Sequence, residues 1–430
     1  MIDESSFGDN MRSFLDLIKK VVGQEQYDKR VNQAIEFYTC SNKSIYRESS
    51  DLLFAYIINC MSFENEDYIL YNPIEYSRIY PVFLNLSNKL MFHSKIKNFD
   101  EKMKALCNKN EKNIDAILFE ILTAFKYCEL GYSVEFLKPL KGKPTPDMSI
   151  SKNDQVRYVE CKKFQRVNNY SYGELDAWYE LSGALAKVPD IVDINGHFHI
   201  KFKEEITKTN GCVIKEKILK KLKKRSILKP ILICNTPQYK ITFRPISNEK
   251  FNVCIDGEPH LYGSAILEYL TGNYNYKYMY KLLSCGGYEQ YPYVSELSKA
   301  TIFSCHHASP ISIRNRVQSI IERLSKASSQ LSDSMQGNIH ILIEDCQGIE
   351  LFESKCVNNI RVMKNFIDSS GGVEHVFVHI AKHILPPNAR FDVEETIQIF
   401  NHHDLAPFVM TPVWYCTNEM KVGYGDMLYE

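Results

Sequence analysis

Two carboxylates and a lysine stand out by type and spacing. Asp147 follows Pro146, and further along Glu160 and Lys162 flank Cys161. Between them lies Asn153-Asp154, a pair that a two-residue hairpin loop tolerates. Such a loop opposes Lys152 to Gln155, Ile150 to Arg157 and Asp147 to Glu160. Directly opposed residues stand with Cβ atoms roughly 4.5–5.5 Å apart, so the two carboxylates repel unless one is protonated or a cation lies between them. Strand alternation puts Glu160 and Lys162 on one face, with Val159 and Cys161 on the other. Hard oxygen donors of this kind suit Mg²⁺ or Mn²⁺ rather than zinc. Glu120 sits upstream on a helical stretch, with Ala116 and Ala124 one turn to either side. Small neighbours leave room for its carboxylate to reach a sheet, while an exposed surface glutamate fits the spacing equally well.

These residues need elements to hold them. Ile114, Ile117, Leu118, Ile121 and Phe125 recur at helical spacing and predict a helix from about 113 to 130, stopped by Gly131. An alternating strand over 132–137 follows, then the loop Lys141-Gly-Lys-Pro-Thr, then strands over 147–151 and 156–163. A helix followed by three strands opens an α/β or α+β fold. Regular order returns later. A helix bearing Ile320 and Leu324 leads to an apolar strand over 339–343, and a helix bearing Ile360 and Ile367 leads to a strand over 376–380. Such strands predict a parallel part of one buried sheet, joined by right-handed crossovers.

A helix with Glu120, then Pro146-Asp147, then Glu160-Cys161-Lys162 on the next strand resembles the PD-(D/E)xK nuclease superfamily, the restriction-endonuclease-like fold. The resemblance covers 113–164 and extends to 314–344, where Leu324–Leu331 and the strand after it look like the second core helix and fourth strand of that fold. It implies a mixed central sheet flanked by helices. It further implies that Asp147 and Glu160 bind Mg²⁺ or Mn²⁺, that Cys161 lends its backbone carbonyl, and that Glu120 completes the site directly or through water. A phosphodiester is shielded by its own charge, so a cation is needed to neutralise the developing phosphorane and lower the pKa of its water. Lys162 then orients or deprotonates that water and counters phosphate charge. Lys141, Lys143, Lys163 and Arg166 flank the site and are expected to hold phosphates. The implied substrate is nucleic acid, DNA ahead of RNA, in restriction, phage defence or repair, an analogy from fold. The alternative is a nuclease fold that has lost catalysis and serves as a nucleic-acid-binding scaffold. A cysteine hydrolase on Cys161 or Cys305 is a further reading, for which no oriented Cys/His pair is legible.

The remaining chain divides around this core. Residues 1–110 read as a helical N-terminal region, punctuated by Pro73 and Pro81 and silent in chemistry. Residues 111–164 and 314–385 are the two halves of the core, 165–313 a β-rich insertion, and 386–430 a C-terminal segment. Within the insertion, 215–225 is a dense basic run carried by an Ile214, Ile218, Leu222 stripe. It reads as a solvated helix face or as a docked helix presenting Lys220, Lys221 and Lys224 to a phosphate backbone. The Tyr-rich stretch 269–293 fits base stacking or amphipathic packing. The histidines at 306–307, 402–403 and 375, 379 and 383 read as structural or surface groups, because no HExxH glutamate accompanies them.

Composition sets the class. Lys+Arg 52 balance Asp+Glu 52, so a nucleic-acid partner has to be argued from local patches. At 44% hydrophobic and 24% charged, the 430 residues are those of a globular chain. No apolar run approaches the roughly 18–20 residues of a membrane helix, and the acidic start Met1-Ile-Asp-Glu does not resemble a secretory signal. Thirteen cysteines, odd in number and without a CxxC pair, predict reduced thiols and a cytoplasmic protein with no membrane partner. A homo-oligomer or a partner protein is left open.

Overall fold

The computed structural model describes residues 9–40, 51–64, 73–141, 144–164, 169–222, 228–251, 263–275, 278–287, 294, 296–307, 309–331, 336–344, 357–384, 389–402, 410–415 and 419–423. It opens as a helical layer, α1 (Asp9–Val22), α2 (Gln24–Cys40), α3 (Leu52–Glu64) and α4 (Pro73–Lys89), followed by β1 (Ile96–Lys97) and α5 (Phe99–Leu106). Pro73 opens α4, where a missing N–H costs nothing. Pro81 does not punctuate the stretch as its type suggests, and lies inside α4. An interior proline costs about 3 kcal/mol, and the burial of Tyr76, Ile79, Val82, Phe83 and Leu86 on the same helix outweighs it.

The site is positioned by the next four elements, α6 (Ile114–Glu129), β2 (Ser133–Phe136), β3 (Met148–Lys152) and β4 (Gln155–Lys163). Gly131 ends the helical stretch in the left-handed region, at φ +82°. Asn153 and Asp154 both take positive φ, 52° and 59°, as a type I′ turn requires. That turn fixes the register read from sequence, with Lys152 opposite Gln155, Ile150 opposite Arg157 and Met148 opposite Val159.

The stretch after β4 contributes α7 (Asn169–Leu185), α8 (Val188–Ile191), β5 (Gly196–Phe202), α9 (Gly211–Leu222), β6 (Ile231–Asn235), β7 (Tyr239–Pro245), α10 (Ser264–Thr271), β8 (Met279–Gly287) and β9 (Glu296–His307). Its strands form a sheet of their own, in the order β6-β7-β5-β9-β8. The sequence also has a β-like run over Phe251–Ile255 in this insertion, which lies outside the described residues beyond Phe251. The chain continues through α11 (Pro310–Ser328), β10 (Gly337–Glu344), α12 (Val357–Ser369), β11 (Val373–Ile384), β12 (Ala389–Asn401) and β13 (Glu419–Gly423).

The larger sheet runs β1-β2-β3-β4-β10-β11-β12-β13. Strand β10 pairs parallel to β4, and β11 parallel to β10. Strands β12 and β13 add antiparallel, so the C-terminal segment, given no elements from sequence, extends this sheet. Gly337 begins β10 so close to β4 that a Cβ there would overlap the Tyr158 carbonyl. The N-terminal helices and α6 pack on one face, through residues such as Phe119, Ile121 and Phe125. Ile320, Leu324 and Ile367 of α11 and α12 cover the other. The result is a mixed α/β architecture in which β4 lies central, with helices on both sides.

Candidate active site at the β3–β4 hairpin

The hairpin register runs to Met148 opposite Val159, and Asp147 and Glu160 are the next residue along each strand. Asp147 is half-buried and its Oδ2 accepts the Cys161 backbone N–H at 2.8 Å. Glu160 is fully buried. Its Oε1 receives the Lys162 ammonium, as two side chains on one face of a strand allow. Its Oε2 is buried and finds no donor among the described residues. The Asp147 carboxyl lies beside Glu160, near enough for a shared hydrogen bond, so a proton or a cation has to screen the pair. Glu120 is not a surface residue. It is buried on α6 and ion-paired to Lys102 from α5, whose ammonium also lies 5.3 Å from the Phe136 ring centroid.

Burial, then the charge of Asp147, pushes the Glu160 carboxyl up to about 8, with Lys162 pulling the other way. The same two causes push Glu120 up to about 8, opposed by Lys102. Asp147 is raised by burial, against the Cys161 N–H and the two lysines. Desolvation works against the ammoniums of Lys162 and Lys102, but the carboxylates outweigh it and hold both above the ordinary lysine value. The Cys161 thiol turns towards Thr123 of α6 and is pushed far up by burial and then by Asp147. A thiol kept protonated is no nucleophile. Cys305 is buried and raised for the same first reason.

Three carboxyls and two ammoniums thus meet at one point. Among the described residues, no group of three or more His, Cys, Asp or Glu side chains is arranged to hold a metal ion directly. Asp147 is turned to a backbone N–H, and each glutamate is turned to a lysine. The donor chemistry nevertheless fits a hard divalent cation. Every carboxyl donor is an oxygen, the charges repel one another, and Oε2 of Glu160 is buried unmatched.

The flanking cations separate into groups. Lys141 is exposed on the loop leading to Asp147. Lys220 and Lys221 are exposed on α9, whose Ile214, Ile218 and Leu222 are buried. Lys143, Arg166 and Lys224 lie outside the described residues. The expected phosphate role of Lys163 is corrected. Alternation puts Lys163 on the opposite face from Lys162, where its side chain is 5% exposed and bonds Asp115 at 2.8 Å and Glu344 at 2.9 Å. Arg78, fully buried on α4, bonds the same two carboxylates at 3.1 Å each. Lys163 is a member of this buried network and is not available to a ligand.

Of the β11 histidines, His379 lies in a buried relay, and His375 Nδ1 lies 3.1 Å from Asn338 Oδ1. Tyr127 Oη lies 2.9 Å from His340 Nε2, His340 Nδ1 lies 3.0 Å from His379 Nε2, and His379 Nδ1 lies 2.8 Å from Glu395 Oε1. Glu395 also accepts the backbone N–H groups of Val413 and Tyr415. His403 lies outside the described residues.

Sequence reasoning missed Lys102 and Arg78. Both come from the N-terminal region whose sequence is silent in chemistry, and neither belongs to a motif whose spacing marks it. A family-model scan, a search of curated proteins and a search of solved structures each return no match to this chain.

Proposed function

We propose that this chain is a metal-dependent nuclease that hydrolyses phosphodiester bonds in DNA. The core of the reading is restriction-endonuclease-like: α6, the β2–β4 meander, the crossover helix α11, and β10 parallel to β4. One observation carries it. Glu120 of α6 and Lys162 of β4 converge with Asp147 and Glu160 at the β3–β4 hairpin, buried enough for each carboxyl to be driven up in pKa. Such perturbed, mutually repelling groups mark functional sites more often than structural ones.

Asp147 and Glu160 would hold Mg²⁺ or Mn²⁺, with Glu120 directly or through water and Cys161 through its backbone carbonyl. The bound ion supplies charge neutralisation and an acidified water. Lys162 keeps its proton at neutral pH because Glu160 stabilises the ammonium. It therefore orients the attacking water and counters the phosphate charge rather than acting as a base. Lys141 is placed on the adjoining loop to hold a neighbouring phosphate. Roles in restriction, phage defence or repair all accord with this chemistry.

The experiment is incubation of the purified chain with supercoiled plasmid, linear duplex and RNA in Mg²⁺, Mn²⁺ or EDTA. Cleavage of DNA that requires the cation and stops with EDTA is expected. A second reading has one observation in its favour. Each carboxylate already faces a lysine or an N–H, so the cluster balances without metal, as a retired nuclease scaffold would. That reading predicts neither cleavage nor stabilisation by Mg²⁺.

A further inference from the structure

The smaller sheet has two unlike faces. Phe198, Ile200 and Phe202 of β5, with Ile241, Phe243 and Phe303, are buried beneath α7 and α9. The residues between them point to the opposite face. His199 stands in register with Thr242 and Ser304, and Lys201 with Lys240 and His306. His197 stands opposite Arg244. Helix α10 covers the Ile302 end of this face through Ile266 and Leu270.

Past α10 the face is aromatic and basic. The Tyr278 ring lies 4.8 Å from that of His199 and 4.9 Å from that of His306. Tyr280 stacks on Tyr274 at 5.3 Å and lies near-parallel to His197 at 6.3 Å. Ser304 Oγ bridges His197 and His199 at 2.7 and 2.9 Å, which fixes both imidazoles. Burial drops each of these histidines to about 4, so both are neutral ring surfaces at physiological pH. These tyrosines and histidines are half-buried, while Lys201, Lys240 and Arg244 are exposed. On the rungs from His197 to Lys201, no described residue of this face is acidic. Glu268 accepts the Tyr274 backbone N–H at the α10 edge of the patch, and away from that edge the charged residues described on these rungs of the face are Lys201, Lys240 and Arg244. Rings with cations beside them are complementary to one class of polymer, whose bases stack and whose backbone is anionic.

We propose that this sheet face, centred on Tyr278, Tyr280 and His199 and rimmed by Lys201, Lys240 and Arg244, binds single-stranded DNA. The geometry supplies the strand and its unpaired bases; the choice of DNA rests on the nuclease reading above. Duplex bases are stacked on one another and offer no π-face to rings held in a sheet, so the platform selects strands already open. It places a binding site for single-stranded DNA in the chain's central insertion.

The test is fluorescence anisotropy of a labelled oligothymidylate with the full-length chain in EDTA, where no cleavage occurs. Binding is expected to exceed that of a duplex of equal length. Tyr278→Ala should weaken it roughly 5- to 150-fold, the range that stacking one base supplies. Tyr278→Phe should restore it. Lys201→Glu with Lys240→Glu, both at exposed positions, should flatten the log–log salt slope by about 0.7 for each lysine–phosphate pair removed. Because binding is read in EDTA, a failed nuclease reading and a failed platform give different results: plasmid left intact in Mg²⁺ sinks the first, and equal binding by Tyr278→Ala and the wild type sinks the second. Equal binding by Tyr278→Ala and the wild type, tighter binding of duplex, or tighter binding of the matching RNA would each overturn the proposal.

Discussion

Replacing Glu160 with glutamine keeps the size of the side chain and removes its charge. An ordinary glutamate titrates near 4.3, whereas this one is held at about 8 when folded. The folded chain therefore binds the proton more tightly than the unfolded one, and stability contributed by this group is lost as pH rises from about 4.3 to about 8. At pH 7.5 the gap of about 3 units, at 1.36 kcal/mol each, bounds the loss at roughly 4 kcal/mol. The shift already includes the pull of the Lys162 ammonium and is shared with Asp147 and Glu120. Without metal, Glu160→Gln should thus be more stable than the wild type at pH 7.5 by on the order of 2 kcal/mol, a few degrees in melting temperature. Near pH 4.5 the difference should vanish. With Mg²⁺ the order should reverse, because a cation at a hundred times its Kd stabilises the wild type by about 2.7 kcal/mol and the variant hardly at all. Thermal unfolding followed by circular dichroism at the two pH values, in EDTA and in Mg²⁺, reads all four conditions. A variant that melts lower than the wild type by the same amount at both pH values would show that Glu160 is a plain ion-pair partner and would refute this reasoning.

Lys162→Ala frees Glu160 from its ammonium, so Mg²⁺ should bind at least as tightly as in the wild type while cleavage falls about 10²–10³-fold, the usual cost of one preorganised donor; parallel melting and rate measurements check it. Lys102→Met removes the ammonium that lies over Phe136 and pairs Glu120, so Mg²⁺ should bind at least roughly tenfold tighter, read as a lower midpoint in the same melts. Arg78→Met removes one of the cations that bond the fully buried side chain of Glu344 and should cost about 3–5 kcal/mol, seen as a lower urea midpoint; a shift under about 1 kcal/mol would show that the remaining partners suffice.

The parts of this site legible in sequence are those governed by short-range rules. Asn153-Asp154 leaves room for a two-residue turn and no more, and the turn determines every rung from Lys152 to Met148. Helical spacing and Gly131 bounded α6 to within a residue or so. Glu120 was ambiguous because Ala116 and Ala124 permit either orientation, and only the packing of α5 against α6 decides it. Lys102 and Arg78 reach their partners across folds of the chain, and no period in the sequence encodes such a meeting. Lys163 was legible after all, since alternation opposes it to Lys162. The strand β12 was hidden by Asp392, Glu394 and Glu395, polar residues that break an apolar run. Glu395 is nevertheless buried, because His379 and two backbone N–H groups satisfy it.

The central claim is that the Asp147–Glu160 pair is a metal site for phosphodiester hydrolysis. It is tested most directly by the rate at which the wild type and Asp147→Asn convert supercoiled plasmid to nicked and linear forms in Mg²⁺ and in Mn²⁺, with EDTA as the control. The wild type should cut in both cations and stop with EDTA, and the variant should be slower by a factor of about 10² or more. Wild-type protein that leaves the plasmid intact in both cations, or cleavage that Asp147→Asn retains in full, would contradict it.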